Sequence, residues 1–217
     1  MKVTEILEEI SRRIDGLETD NDKEDYFILE RPKHKRVICF CNNIKGLKFI
    51  KQKFRHSWYK RLVYVLIRLG FHKLFCKKIS LSSKLGDVIY IANSVKSFDL
   101  DNECVYVFEK NMDELLKNVK IQNYLAMNNL APKLLGISTR NYYAEELLYS
   151  NNNLTTKEIF TKLNEFYTLT NHNYIHGDFV RDHVRVDTKG NIKFIDWNMR
   201  IGNKEEDFNS YLRSLKQ

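Results

Sequence analysis

The stretch YIHGDFVRDHVRVDTKGNIKFIDW, at residues 174–197, constrains the fold of this chain more than any other part of the sequence. Two short runs of apolar β-forming residues, 184–186 and 192–195, stand on either side of the turn sequence DTKG. An Asp and a Gly at these two places in a short connection are typical of a hairpin. The stretch therefore predicts a β-hairpin, with Asp178 in a turn before it and Asp196 directly after it.

The two aspartates allow two interpretations. In the first, Asp178 accepts the proton of an attacking hydroxyl and Asp196 holds Mg²⁺ between nucleotide phosphates, since Mg²⁺ prefers carboxylate and phosphate oxygens. In the second, both are ordinary turn residues of a generic hairpin, because Asp is common in turns. The first interpretation requires the hairpin to bring both carboxylates to the same end.

The rest of the chain mixes helical and strand patterns. Its 217 residues are 43% hydrophobic, which is typical of a globular protein rather than a disordered one. Periodic apolar spacing predicts helices at 1–18, 57–75, 112–127, 157–169 and 205–215, and strands at 26–29, 36–41, 79–81, 88–91, 104–108 and 142–148. Gly70 is expected to interrupt the second of these helices or to end its first part. We therefore predict an α+β fold.

Positive charge is concentrated in one segment. Residues 31–86 contain 16 Lys and Arg and no Asp or Glu, whereas the other residues contain 20 Lys and Arg against 28 Asp and Glu. Such a segment attracts phosphate-bearing partners, and we expect an anionic membrane surface among them. The apolar stretch 57–75 is too short and too charged to span a bilayer. The residues leave open whether it lies on a membrane or packs on the domain with a solvated basic face.

The cysteines and the N-terminus indicate the compartment. Cys39, Cys41, Cys76 and Cys104 form no Cys-x-x-Cys pair, so we expect no zinc site. Free cysteines fit a reducing environment, and the acidic, amphipathic N-terminus is not that of a signal peptide. We predict a cytoplasmic protein that is peripheral to a membrane if the basic segment binds lipid.

Two motifs, HGDF at 176–179 and IDW at 195–197, resemble those of the aminoglycoside phosphotransferase and choline kinase group of protein-kinase-like enzymes. In that group, a His-Gly-Asp loop is followed by a short hairpin that ends in a second Asp. NYLAMNNLAPKLLG, at 123–136, resembles the end of the group's regulatory helix and the strand after it. YYAEELL, at 142–148, resembles the strand that leads to the hinge between the lobes. The resemblance covers roughly residues 79–215, and it implies a two-lobed α+β fold with a reduced C-terminal lobe.

The resemblance also implies a function. It implies ATP-dependent phosphorylation of a hydroxyl on a small molecule or glycan, such as a precursor of lipopolysaccharide or another surface polysaccharide, with Mg²⁺ or Mn²⁺. The implied roles are catalytic base for Asp178, metal ligands for Asp196 and His183, phosphate contact for Lys110, structural support of the loop for His176, and adenine contacts for Glu145, Glu146 and Leu147. Asp207 matches a later Asp that the group often carries.

Three features depart from the group's pattern. The group's metal-binding Asn falls five residues after the catalytic Asp, where this chain has His183, and imidazole prefers softer ions than Mg²⁺. The helix carboxylate that pairs with the lysine falls at Asn118, so Asp113 or Glu114 would have to substitute. The glycine-rich phosphate loop has no clear equivalent, and the best candidate is 92–97.

Several alternatives stay open from the residues alone. Arg181 and Asp182 are either solvated loop residues or contacts to a phosphate and a metal. The whole chain is either an active kinase, a pseudokinase-like binding protein, or a basic module that binds a membrane surface, with nucleic acid as the less favoured partner. In the kinase interpretation, residues 1–78 form an N-terminal extension, 79–148 an N-lobe and 149–217 a small C-lobe.

Overall fold

The computed structural model describes residues 2–15, 23–31, 36–55, 57–92 and 94–216. The chain divides into two compact units, Met1–Leu115 with Gly136–Glu145, and Leu116–Leu135 with Glu146–Gln217. Its described helices are α1 (Val3–Asp15), α2 (Ile44–Lys53), α3 (Trp58–Arg68), α4 (His72–Phe75), α5 (Met112–Met127), α6 (Thr156–Leu169) and α7 (Lys204–Ser214). Its described strands are β1 (Lys23–Arg31), β2 (Arg36–Cys41), β3 (Lys77–Ser82), β4 (Val88–Ile91), β5 (Val95–Asp99), β6 (Cys104–Phe108), β7 (Leu134–Ser138), β8 (Tyr142–Glu146), β9 (Tyr174–Ile175), β10 (Val184–Val186), β11 (Ile192–Phe194) and β12 (Arg200–Ile201). The predicted α+β class is confirmed.

A large sheet organises the first unit. Its strand order is β3-β1-β2-β4-β5-β6-β8-β7, and the neighbouring pairs from β3 to β6 are antiparallel. Residues 1–78, which the sequence suggested as an extension, contribute β1, β2 and the first residues of β3 to this sheet. The boundary expected near residue 78 therefore falls inside one strand of a continuous sheet.

The sheet buries apolar side chains on both faces. Tyr26 and Ile28 of β1 belong to one core cluster together with Leu7 of α1, whereas Phe27 of the same strand belongs to another cluster together with Ile50 of α2. This alternation follows from strand geometry, in which successive side chains point to opposite faces. Burial on both faces explains why β2, β4 and β6, which lie inside the sheet, are mainly apolar.

The helix predicted at 57–75 is divided at Gly70, which confirms the predicted interruption. Gly70, which follows α3, has φ of +85°, a left-handed conformation that glycine adopts without strain. The chain then turns and forms the short helix α4. Across the described part of the chain, no helix is long and apolar enough to cross a membrane.

The second unit holds the predicted hairpin. Strands β10 and β11 pair antiparallel, with Val184 opposite Phe194. The Asp187 carboxylate accepts hydrogen bonds from the backbone N–H groups of Lys189 and Asn191, both at 2.9 Å, which fixes the turn. The core beside it contains Leu125, Ile159, Leu163, Phe166, Tyr167, Phe179, Phe194 and Tyr211.

Leu7→Ala tests whether α1 is an integral part of the first unit. Leu7 is fully buried, so we expect the change to lower the free energy of unfolding by about 2–5 kcal/mol, measured by urea denaturation. Glu8→Ala, an exposed change on the same helix, is the control and should stay within about 0.5 kcal/mol of the parent. Equal stability of the two variants would contradict the packing of α1 on the sheet.

Candidate active site

A buried carboxylate holds the His-Gly-Asp turn in the second unit. Asp207, in the first turn of α7, accepts hydrogen bonds from the backbone N–H groups of His176 at 2.7 Å and Gly177 at 3.0 Å. The hydroxyl of Tyr167 donates a third at 2.9 Å. Burial raises the pKa of Asp207 above its ordinary value, although the three donors act in the opposite direction. These three hydrogen bonds to the buried Asp207 carboxylate hold the His-Gly-Asp turn in place.

The His176 ring supports the turn from inside. Its Nε2 lies 3.1 Å from the backbone oxygen of Ile195, which can only accept, so Nε2 carries the proton. Its Nδ1 accepts the backbone N–H of Asp178 at 3.4 Å. The ring also stacks on Trp197, with centroids 4.4 Å apart. Burial lowers the pKa of His176 to about 3, so the ring is neutral, in agreement with these partners.

Two unusual backbone conformations position the aspartates. Gly177 has φ of +84°, and a Cβ there would lie 2.1 Å from the backbone oxygen of Asn198, so only glycine fits. Asp196 has φ of +58°, a conformation that Asp tolerates better than most residues. Non-glycine residues held in this region are concentrated at functional sites.

The structure brings Asp178, His183 and Asp196 together around one imidazole ring. His183 lies in a short 3-10 turn, Arg181–His183, that leads into β10. Its Nδ1 is 3.9 Å from Asp178 Oδ2, and its Nε2 is 3.6 Å from Asp196 Oδ2. The aspartate side chains are 60% and 42% exposed, whereas that of His183 is 16% exposed. The hairpin therefore brings both carboxylates to the same histidine, as the kinase interpretation requires.

The partners of His183 define what the site can hold. Nδ1 lies 2.7 Å from the backbone oxygen of Asp178, so Nδ1 must carry a proton and donate it. In the neutral ring, Nε2 is then a bare nitrogen that faces the Asp196 carboxylate. Nε2 and the Asp196 Oδ2 atom, 3.6 Å apart, are then two potential ligands that face each other.

His183 Nε2 and the Asp196 carboxylate together offer one nitrogen and one oxygen ligand. Within the ranges that the structure describes, no group of three or more His, Cys, Asp or Glu side chains could hold a metal ion. An ion bound by Asp196 and His183 would therefore take further ligands from a nucleotide and water, which is the usual arrangement for ions that carry nucleotides.

Arg181 serves the packing of the second unit. Its guanidinium donates to the Tyr211 hydroxyl at 2.8 Å and to the backbone oxygen of Asn151 at 3.2 Å, and its backbone N–H donates to Ser214 at 3.0 Å. Because these bonds hold the guanidinium against other parts of the second unit, they do not support the alternative role of Arg181 as a phosphate contact. Asp182 is exposed in the same turn.

The residues expected to bind ATP are in less suitable positions. Lys110 is exposed in the first unit, and among the described residues neither Asp113 nor Glu114 pairs with it. Glu145 is buried and Leu147 is half-buried. The residue between them, Glu146, is occupied: its N–H donates to the backbone oxygen of Lys133 at 2.9 Å, and its carboxylate pairs with buried Lys193. The Glu146 N–H is therefore not available for the adenine contact that we expected.

The candidate phosphate loop is shorter than the sequence suggested. Strand β5 begins at Val95, and Ser97 is buried within it. The turn between β4 and β5 is therefore limited to residues 92–94, of which Asn93 lies outside the described residues.

Comparison of the sequence with models of known protein families and with curated proteins found no match.

Sequence reasoning missed two buried polar residues of this unit. Tyr167, which donates to Asp207, is part of a helical apolar pattern. The pattern would be the same with phenylalanine at this position, so it does not indicate that the hydroxyl has a buried partner. Lys193 lies in β11 between apolar residues and is almost fully buried. A lysine in an inward-facing position of a short strand was the signal that could have revealed its ion pair with Glu146.

Asp207→Asn tests the clamp on the turn. The new amide group has one accepting oxygen instead of two, so a buried backbone N–H loses its partner. We expect the free energy of unfolding to fall by about 2–4 kcal/mol in urea denaturation. Glu205→Gln makes the same chemical change at an exposed site on the same helix and should cost less than about 1 kcal/mol. Equal losses would show that the carboxylate does not hold the turn.

Proposed function

We propose that this chain is a phosphotransferase that moves the γ-phosphoryl group of ATP to a hydroxyl of a small molecule or glycan. The observation that carries the proposal is the placement of His183 between the carboxylates of Asp178 and Asp196, on a turn clamped by Asp207. The acceptor class comes from the resemblance to aminoglycoside and choline kinases, and a surface polysaccharide precursor is one candidate.

We also propose the finer fold description, a kinase-like arrangement of two lobes with a reduced C-terminal lobe. Its support is the order of elements: the hairpin-connected strands β4, β5 and β6 precede α5, and β7 and β8 follow it. The division of the chain after Glu145 agrees with a hinge at that point. The His-Gly-Asp turn and the β10–β11 hairpin then fall in the second unit.

In the proposed reaction, Asp178 orients the acceptor hydroxyl and takes its proton. The hydroxyl oxygen forms a bond to the γ-phosphorus as the bond from the γ-phosphorus to the β–γ bridging oxygen breaks, and ADP leaves. Asp178 suits this role because it is exposed and because its backbone N–H is fixed on His176. Asp196 and His183 would hold a divalent cation, which neutralises charge on the β- and γ-phosphate oxygens when bound.

A second candidate function is that of a pseudokinase-like binding protein. The exposed Lys110, which has no carboxylate partner on α5 among the described residues, and the engaged N–H of Glu146 favour it. Both features concern the nucleotide rather than the catalytic turn. In a thermal-shift assay with ATP, no shift with or without Mg²⁺ or Mn²⁺ would therefore favour this second function, whereas a metal-dependent shift would favour the enzyme.

Asp178→Asn tests the catalytic role. We expect ATP turnover with a panel of hydroxyl acceptors, followed by ADP release, to fall by about 10²–10⁴-fold, because the amide cannot take the proton. Asp182→Asn is the matched control, since it is an exposed aspartate in the adjoining 3-10 turn. Turnover by Asp178→Asn that equals the control would eliminate the proposal, provided both variants unfold at the parent's temperature.

His183→Asn tests the metal site. The parent should prefer Mn²⁺ to Mg²⁺ in the thermal shift with ATP, because Nε2 is a nitrogen ligand. The variant replaces it with an amide oxygen, so we expect the ratio of apparent Mn²⁺ to Mg²⁺ affinity to fall by roughly tenfold.

The control is His172→Asn, the same change at an exposed histidine whose φ of +60° suits asparagine. An unchanged metal preference in His183→Asn would remove His183 from the site.

A further inference from the structure

Helix α3 presents a continuous apolar surface to solvent. Trp58, Leu62, Val65 and Leu69 are spaced four, three and four residues apart, so they form one stripe along the helix and its C-cap. Their exposed fractions range from 46% to 78%. We call these four residues the outer stripe. The chain continues it with the exposed side chains of Phe71, Leu74 and Phe75.

The outer stripe is not the face that attaches α3 to the sheet. Ile67 is fully buried, and Val63 and Tyr64 pack against the same core cluster. The helix therefore has two apolar faces, and only one is used within the first unit. Contiguous exposed apolar patches of this kind mark interaction surfaces, because water contact with them is unfavourable.

Basic residues flank the outer stripe. Arg61 and Arg68 are seven residues apart, so they lie on one side of it, and both are exposed. In the described part of the chain, neither pairs with a carboxylate. The segment from residue 31 to residue 86 has no acidic residue at all. Lys45 and Lys78, elsewhere in this segment, pair with Asp101 and Asp25, so among the described residues the two arginines beside the outer stripe keep a charge that no carboxylate neutralises.

The aromatic residues add a further indication. Trp58 and Tyr59 stand at the first turn of α3, and both are exposed, with ring centroids 6.3 Å apart. Trp and Tyr rings are favoured where an apolar layer meets water, because they combine an apolar body with a polar group. Leu62, Val65 and Leu69 are aliphatic and offer nothing to stacked bases, which argues against a nucleic acid on this face.

We propose that the outer stripe binds the surface of an anionic lipid bilayer, with α3 lying in the plane of the interface. The apolar side chains enter the region between headgroups and acyl chains, and Arg61 and Arg68 contact the phosphates of anionic lipids. This inference does not depend on the proposed phosphoryl transfer, and it adds a site at which the chain attaches to a lipid surface.

The test is flotation of the full chain with phosphatidylcholine vesicles, with and without phosphatidylglycerol, at low and high salt. We expect binding to the anionic vesicles that weakens as salt rises. Leu62→Glu should weaken it by at least about tenfold, because it places a charge in the apolar layer. Leu212→Glu is the matched control, because Leu212 is 45% exposed and Leu62 is 49% exposed.

Arg61→Gln with Arg68→Gln separates the charge from the apolar contact. Each basic residue near an anionic surface contributes about fivefold to affinity, so we expect a loss of roughly 25-fold on anionic vesicles. Lys189→Gln with Lys216→Gln, both exposed in the second unit, removes the same charge elsewhere and should change binding less than about threefold.

Three outcomes would overturn the proposal. The first is a parent chain that does not float with anionic vesicles. The second is a Leu62→Glu chain that floats as well as the Leu212→Glu chain. The third is a concentration-dependent dimer, seen by light scattering, that Leu62→Glu converts to a monomer, since a second copy of the chain would then cover the outer stripe.

Discussion

The carboxylate of Asp207 is the interaction on which the candidate site depends. It is buried, and it satisfies the backbone N–H groups of His176 and Gly177, which a tight turn would otherwise leave without partners. The turn that it holds leaves Asp178 exposed, and His176 links it to the end of the hairpin. A structural residue on a separate helix therefore sets the position of the proposed catalytic base.

His183 gives the site its chemical character. Its δ-nitrogen is committed to a backbone oxygen, and its ε-nitrogen faces Asp196. In the proposed metal site, these two groups would supply one nitrogen and one oxygen ligand to a divalent cation. The enzymes that the chain resembles have an asparagine oxygen at this position, and we expect the nitrogen of His183 to alter which ions suit the proposed site.

Much of the fold could be predicted from local sequence because its elements have clear periodicity. Helix α5 and strands β2, β4 and β6 have the predicted bounds. Helix α2 and strand β5 were missed. Helix α2 contains Gly46, which lies close to the backbone oxygen of Cys41 in β2. Strand β5 contains Lys96 and Ser97. Neither element therefore has a simple apolar pattern. Their structure depends on packing against the sheet, which no local window records.

The sequence by itself determined the hairpin and the order of its two aspartates, because turn chemistry and strand periodicity act over a few neighbouring residues. Tertiary structure decided the rest. Asp207 lies 30 positions after Gly177, so only the tertiary fold brings it to the turn. The pairing of Glu146 with Lys193 likewise forms only in the folded chain. The fold also decided that α3 uses one apolar face and exposes the other, since a helical sequence with two apolar faces does not specify which of them meets the sheet.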